Sequence, residues 1–309
     1  MDITERSTSP LMRDIFGSDL DIILSDYNGH ILKLADSHPY IKGVFSECLN
    51  RTGFLLPYMS AEYGYHSIRG RFMPPRMKKA VTGFGLIGLA ISIDDDIADE
   101  YAGDHLKTVC NVSVSELMQN LGYGLISGSS RPRERGIITY ETGRAVSSTA
   151  KYQCADASNI MDFQKNGFNL ANYLYAAKKT ACPIKYGLRL GMVLADGQEF
   201  LPVAEAMGER LGIVLQMIDD VIDLKEDVIN YKGSVTLPMF LLRNGLSFSR
   251  IFSMMDYSIR ECLLEAKKLP FSGKMEQMIA GFVRARSIAR QRLFPAGSTL
   301  ALHDAADGV

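Results

Sequence analysis

The sequence predicts an all-α fold. Apolar residues recur at helical spacing along most of the chain, helix-start signals punctuate them, and the alternation expected of strands is scarce. Ser9-Pro10 pairs an N-cap residue with proline at the first helical position, and Leu11 to Leu34 follows with helical periodicity. Phe72-Met73-Pro74-Pro75 breaks the chain, and Ala80 to Asp99 resumes it as one long apolar helix. Ser113-Val114-Ser115-Glu116 has the form of a capping box opening a further helix. Gly128 to Gly136 reads as a polar, basic connector, followed by a helix to about Met161. Leu170 to Leu194, Ala204 to Asp223 and Glu261 to Leu269 continue the pattern, with Pro238 and Asn244-Gly245 as punctuation. About ten helices in a single domain over residues 1–309 are expected, with flexible ends at about 1–8 and 296–309.

Composition narrows the function classes. Lys+Arg 34 against Asp+Glu 35 gives a formal net charge of -1, so no global basic field invites nucleic acid. The five cysteines, Cys48, Cys110, Cys154, Cys182 and Cys262, are far apart and form no CxxC or Cys/His spacing. Neither a zinc site nor a disulfide framework is indicated, and a reducing, cytoplasmic compartment is expected. Met1 to Arg13 carries charges rather than an apolar run, so no signal peptide is expected. Ala80 to Ile93, the longest uncharged apolar stretch, is 14 residues long, against the roughly 20 that cross a bilayer.

Two acidic motifs carry the chemistry. The first is Asp95-Asp96-Ile97-Ala98-Asp99 and the second is Gln216-Met217-Ile218-Asp219-Asp220-Val221-Ile222-Asp223, each closing a strongly apolar helix. Asp95 and Asp99 sit one turn apart on one helix face, as do Asp219 and Asp223, and Gln216 shares the face of Asp219. Like charges at this spacing repel, and carboxylates at the end of a buried helix are costly to desolvate. Solvent or a cation must compensate them. Magnesium takes oxygen ligands and commonly binds through one or two carboxylates plus substrate phosphates. Asp95, Asp96, Asp99, Asp219, Asp220 and Asp223 are therefore the candidate ligands of ions that clamp a diphosphate. A single such run is more often a solvated helix end; the pair is much harder to dismiss.

Around these motifs the sequence resembles the trans-isoprenyl diphosphate synthase (polyprenyl synthetase) family. Gln216 to Asp223 is the closest match. Gln153-Cys154-Ala155-Asp156 is similar to the family's QxxD segment and Lys179-Thr180-Ala181 to its KT motif. Lys232 to Pro238 resembles its lysine-then-TLP segment, and Ala266 to Arg284 its closing helix pair. The resemblance implies a helical bundle around a central cavity, a homodimer, and about three magnesium ions with substrate bound. It also implies an allylic diphosphate held by the aspartates, with Gln153, Lys179 and Lys232 on the substrate. Thr180 and Gln216 would stand near the reacting carbons. Ionisation, attack by isopentenyl diphosphate and proton loss would then elongate the chain.

The first half departs from the family. Its GGKRxRP segment, which binds isopentenyl diphosphate, appears as Arg69-Gly70-Arg71-Phe72-Met73-Pro74-Pro75, with Phe72 and Pro74 where arginines stand, and Pro75 to Asp95 is short. Arg71 and Arg76 are the candidate contacts to a second diphosphate; the other reading of this segment is a solvated helix start. Ala90, five positions before Asp95, is the candidate floor of the prenyl pocket by the same resemblance, or else a small residue for close helix packing. Two alternatives stay open: a terpene cyclase-like reaction or transfer to another acceptor, such as a peptide, and a non-catalytic subunit of a heteromeric synthase.

Overall fold

The computed structural model describes residues 10–20, 52–99, 105–128, 131–230 and 236–294. Eleven α-helices and one 3-10 turn make up these residues, and no strand occurs among them. In chain order they are α1 (Pro10–Phe16), α2 (Thr52–Arg69), α3 (Pro75–Asp99), α4 (His105–Ser127), α5 (Pro132–Asn166), α6 (Leu170–Ala176), α7 (Lys178–Leu194), the 3-10 turn Gln198–Phe200, α8 (Leu201–Asn230), α9 (Leu237–Arg243), α10 (Ser249–Ala266) and α11 (Gly273–Leu293).

Helix α7 is the spine, packed against α2, α5 and α8. Its glycines allow backbone-to-backbone contact. A Cβ on Gly191 would lie 2.0 Å from the Ala61 carbonyl oxygen of α2, and one on Gly212 of α8 would lie 2.0 Å from the Cα of Ala181. Helix α3 lies against α2, α4 and α5, while α10 and α11 cover α8. Ile184, Leu188, Leu211, Val214 and Ile218 are fully buried, so the α7–α8 seam is part of the core. Two buried polar clusters tie the bundle together. Arg189 donates to both carboxylate oxygens of Glu141 at 3.0 Å, joining α7 to α5. Asp19 accepts from Tyr63 at 2.8 Å and from Lys274 at 2.6 Å, joining the N-terminal segment to α2 and α11.

Several boundaries differ from the sequence expectations, each for a physical reason. Ser113 and Ser115 lie inside α4 and cap nothing; Ser115 is buried and donates to the carbonyl of Ala90 across the α3–α4 contact at 3.2 Å. The basic connector is shorter than expected, because Pro132 opens α5 at its first position. Leu170 to Leu194 is two helices: the N–H of Ala177 turns back to the carbonyls of Tyr173 and Tyr175, ending α6 as α7 begins. The closing helix starts at Ser249, well before Glu261. Helix α1 stops at Phe16, where Gly17 adopts φ +57; residues 21–34 of the expected stretch lie outside the described residues, as do the two chain ends. No helix of the described residues is long and apolar enough to cross a membrane.

Candidate active site between two aspartate helices

Four helix segments converge at one end of the bundle: the C-terminal end of α3, the C-terminal half of α5, the first turn of α7 and the middle of α8. Lys179 joins the first three. Its ammonium donates to Asp156 of α5 at 2.6 Å and stands 3.3 Å from the carboxylate of Asp95 on α3. The fourth segment is reached through the next residue, since the Thr180 hydroxyl donates to the amide oxygen of Gln216 on α8. Gln216 Nε2 donates in turn to Asp220 Oδ1 at 2.7 Å, and Tyr173 of α6 donates to Asp220 Oδ2 at 2.6 Å.

The aspartates of the second motif divide by environment. Asp219 and Asp223 are exposed on one face of α8, whereas Asp220 is 6% exposed and lies under Tyr173. Burial, and then the carboxylates of Asp220, Asp156 and Asp219, push the Tyr173 phenol well above its usual range. It therefore stays a donor. In the first motif, Asp95 is partly exposed and Asp94 beside it is pushed up by burial, with Glu116 adding to the shift and a hydrogen bond from Ser115 opposing it. The side chains of Asp96 and Asp99 lie outside the described residues.

An apolar cavity of about 30 Å³ opens beneath Asp95, between α2, α3, α5 and α7. Ile91, one turn before Asp95, lines it nearest the carboxylates; Phe84 lines it about 16 Å along α3 from Asp95 at about 1.5 Å per residue. Pro183 of α7 is a third wall. Proline has no N–H, so Pro183 is accommodated inside α7 as a wall rather than as a donor.

The structure brings together Asp95, Lys179, Thr180, Gln216, Asp219 and Asp220. Gln153 is half-buried one turn before Asp156 on α5. Ala90 is fully buried and does not line the cavity; Gly88 and Ile91 do, while the Ala90 carbonyl serves the α3–α4 contact. Arg71 and Arg76 are placed elsewhere. Arg76 is in the first turn of α3, 3.8 Å from Glu134 of α5, and about 28 Å of helix separates it from Asp95. Arg71 is exposed in the preceding turn at that far end. Lys232 lies outside the described residues. Sequence reasoning did not single out Asp156 and Tyr173 as site residues. Asp156 is visible only as the last residue of the QxxD segment. Tyr173 has no sequence signal, because its partner is 47 residues away.

Among the described residues no three His, Cys, Asp or Glu side chains converge as a ready-made metal site. The donor chemistry still suits magnesium: carboxylate oxygens are exposed on two helices, and that ion completes its octahedron with water and phosphate oxygens.

The polyprenyl synthetase family model matches residues 112–233. That span takes in the QxxD segment, Lys179-Thr180 and the whole second motif. No curated protein sequence matches the chain significantly. Among solved structures, a geranylgeranyl pyrophosphate synthetase from the archaeon Geoglobus acetivorans is 15% identical, covering 90% of this chain and 99% of its own, with a TM-score of 0.62. A geranylgeranyl pyrophosphate synthase is 14% identical over the same shares, with a TM-score of 0.64. The geranyltransferase of Helicobacter pylori, solved with magnesium and isoprenyl diphosphate, is 15% identical, covering 87% of this chain and 98% of its own, with a TM-score of 0.57. Residues 112–233 thus match the polyprenyl synthetase family model, and the fold of the chain is that of the solved geranylgeranyl pyrophosphate synthases.

Proposed function

We propose that this protein is a magnesium-dependent prenyltransferase that ionises an allylic isoprenoid diphosphate. The observation that carries the reading is Lys179, held between Asp95 and Asp156 with Thr180 and Gln216 beside it, while Ile91 and Pro183, four residues from Asp95 and Lys179, line an apolar cavity. Lys179 is placed to leave its carboxylates for an incoming diphosphate, to which an ammonium offers three donors. Asp95 and Asp99 on one helix, with Asp219 and Asp223 on the other, supply oxygens for the cation. Bound magnesium neutralises the charge that grows on the diphosphate as the C–O bond breaks.

The diphosphate departs with the bonding electrons and leaves an allylic cation. The Thr180 oxygen is a lone-pair donor beside it, and the apolar cavity walls keep water away. The double bond of isopentenyl diphosphate then attacks, a C–C bond forms, and a proton leaves the adjacent carbon. The cavity, at about 30 Å³, is smaller than a prenyl tail requires, so its side chains move apart when the tail enters. The exposed Val112, Tyr123 and Tyr140 on α4 and α5 offer apolar area for a homodimer.

A second reading replaces isopentenyl diphosphate with a different acceptor. It is supported by the position of Arg71 and Arg76, about a helix length from Asp95. Mass analysis of products from C5, C10, C15 and C20 allylic diphosphates, each with and without isopentenyl diphosphate, separates the two. Elongated diphosphates formed only with isopentenyl diphosphate support the first reading; cyclic or hydrolysed products that form without it support the second. No consumption of any allylic substrate with magnesium would reject both.

A further inference from the structure

The hydrogen bonds from Tyr173 to Thr180 have a direction that their chemistry enforces. Asp220 accepts at both oxygens, from the Tyr173 phenol and from Gln216 Nε2. A carboxylate cannot donate, so the amide of Gln216 must present its nitrogen to Asp220 and its oxygen to the other side. That oxygen faces Thr180, whose hydroxyl must then donate to it. The only proton on Thr180 Oγ1 is thereby committed to α8. What remains on that oxygen is its lone pairs. Thr180 follows Lys179, which stands 3.3 Å from Asp95, so that oxygen lies beside the charged groups of the candidate site.

We propose that Tyr173 and Asp220 are positioning residues that lock the orientation of the Gln216 amide, and so hold the Thr180 hydroxyl as a donor to α8 with its oxygen left as an acceptor beside Lys179. The inference rests on the ionisation chemistry proposed above. Its corollary concerns the second motif, whose three aspartates are not equivalent: Asp219 and Asp223 are exposed, while Asp220 is buried and accepts from the amide. Without a carboxylate at position 220 the amide is free to turn over. Asparagine there offers one donor and one acceptor, and Gln216 can satisfy either. A flipped amide would let Thr180 point its proton at the cation, the wrong polarity for stabilising positive charge.

The test uses the whole protein with magnesium and a non-ionising allylic thiolodiphosphate, followed by single-turnover kinetics on the allylic diphosphate. Calorimetry should show Asp220→Asn and Tyr173→Phe binding the analogue within about 3-fold of wild type, and Asp219→Asn at least about 10-fold weaker. Turnover should fall about 10- to 100-fold in Asp220→Asn and Tyr173→Phe with KM unchanged. The decisive cycle pairs Tyr173→Phe with Thr180→Val: if Tyr173 acts through Thr180, the double variant is no slower than Thr180→Val alone. Multiplying rate losses in that cycle, or an Asp220→Asn binding defect equal to that of Asp219→Asn, would overturn the proposal. Wild-type protein that neither binds nor turns over would refute the ionisation reading instead. The amide lock would then be judged by thermal unfolding: Tm losses for the same pair that fall short of their sum uphold a continuous chain, and simple additivity defeats it.

Discussion

Gly212 of α8 lies so close to Ala181 of α7 that a Cβ on the glycine would come 2.0 Å from the Ala181 Cα. The contact fixes the height of α8 on α7, and one turn further along α8 Gln216 meets Thr180. Packing at one point thus sets polar geometry at the next. Gly212→Val should separate the helices, lower Tm by several degrees through overpacking of about 2–3 kcal/mol, and cut turnover at least about 10-fold. Differential scanning calorimetry and steady-state kinetics check it; a variant with native Tm and native turnover would show the seam to be more pliable than the contact implies.

Asp156 holds Lys179 at 2.6 Å, and the lysine is the residue that meets the diphosphate in the proposed reaction. Asp156→Asn keeps the shape but removes the charge. We expect KM for the allylic diphosphate to rise about 10-fold, and Lys179→Ala to lower kcat/KM by about 100-fold or more. Steady-state kinetics at saturating magnesium reads both. Equal KM in wild type and Asp156→Asn would place Asp156 outside substrate binding.

Phe84 lies at the deep wall of the cavity, about 16 Å below Asp95. Truncating it should lengthen the room for the tail. Phe84→Ala is expected to shift the product spectrum toward longer prenyl chains, at a stability cost of about 3–5 kcal/mol for a buried phenylalanine. Chromatography of dephosphorylated products measures the shift, and an unchanged spectrum would put the end of the tail elsewhere.

At the far end of the bundle, Asp196 caps α7 in the left-handed region at φ 63 and binds Arg69 at 2.6 Å and Arg133. The hydrogen bond from Arg133 comes first in holding its carboxyl below the usual range; the charges of both arginines and the bond from Arg69 add to it, and slight burial opposes. A carboxyl depressed in the folded state contributes stability that is fully present above its unfolded pKa of about 3.9 and is lost as pH falls through the lower folded value. Asp196→Asn, which tolerates the same backbone conformation, should therefore lower Tm at pH 6. The gap to wild type should close as the pH is brought below about 4. A gap that does not narrow at all as the pH falls below about 4 would mean the carboxylate charge is not what the arginines recognise.

The sequence carried the aspartates and the helices unevenly. The second motif and Lys179-Thr180 are contiguous segments on single helices, so local spacing alone puts Gln216, Asp219 and Asp223 on one face. The site also needs Asp156 and Tyr173, which reach it from other helices, 23 residues from Lys179 and 47 from Asp220 respectively. Local pattern holds no record of such pairings. Ser113 to Glu116 misled for the same reason: an ideal capping spacing sits mid-helix because Ser115 is used across an interface. Arg71 and Arg76 were read by family position, yet an uninterrupted α3 of 25 residues carries them away from the carboxylates.

The most direct test of the account is magnesium-dependent release of diphosphate from an allylic diphosphate by wild type, Asp95→Ala and Asp219→Ala, with Tm recorded for each. The account predicts release by wild type, a loss of about 1,000-fold or more in both variants, and Tm unchanged or raised, because each substitution relieves repulsion between like charges. Retained specific activity in variants whose Tm has fallen sharply would contradict it, making the aspartates structural and placing the chemistry elsewhere.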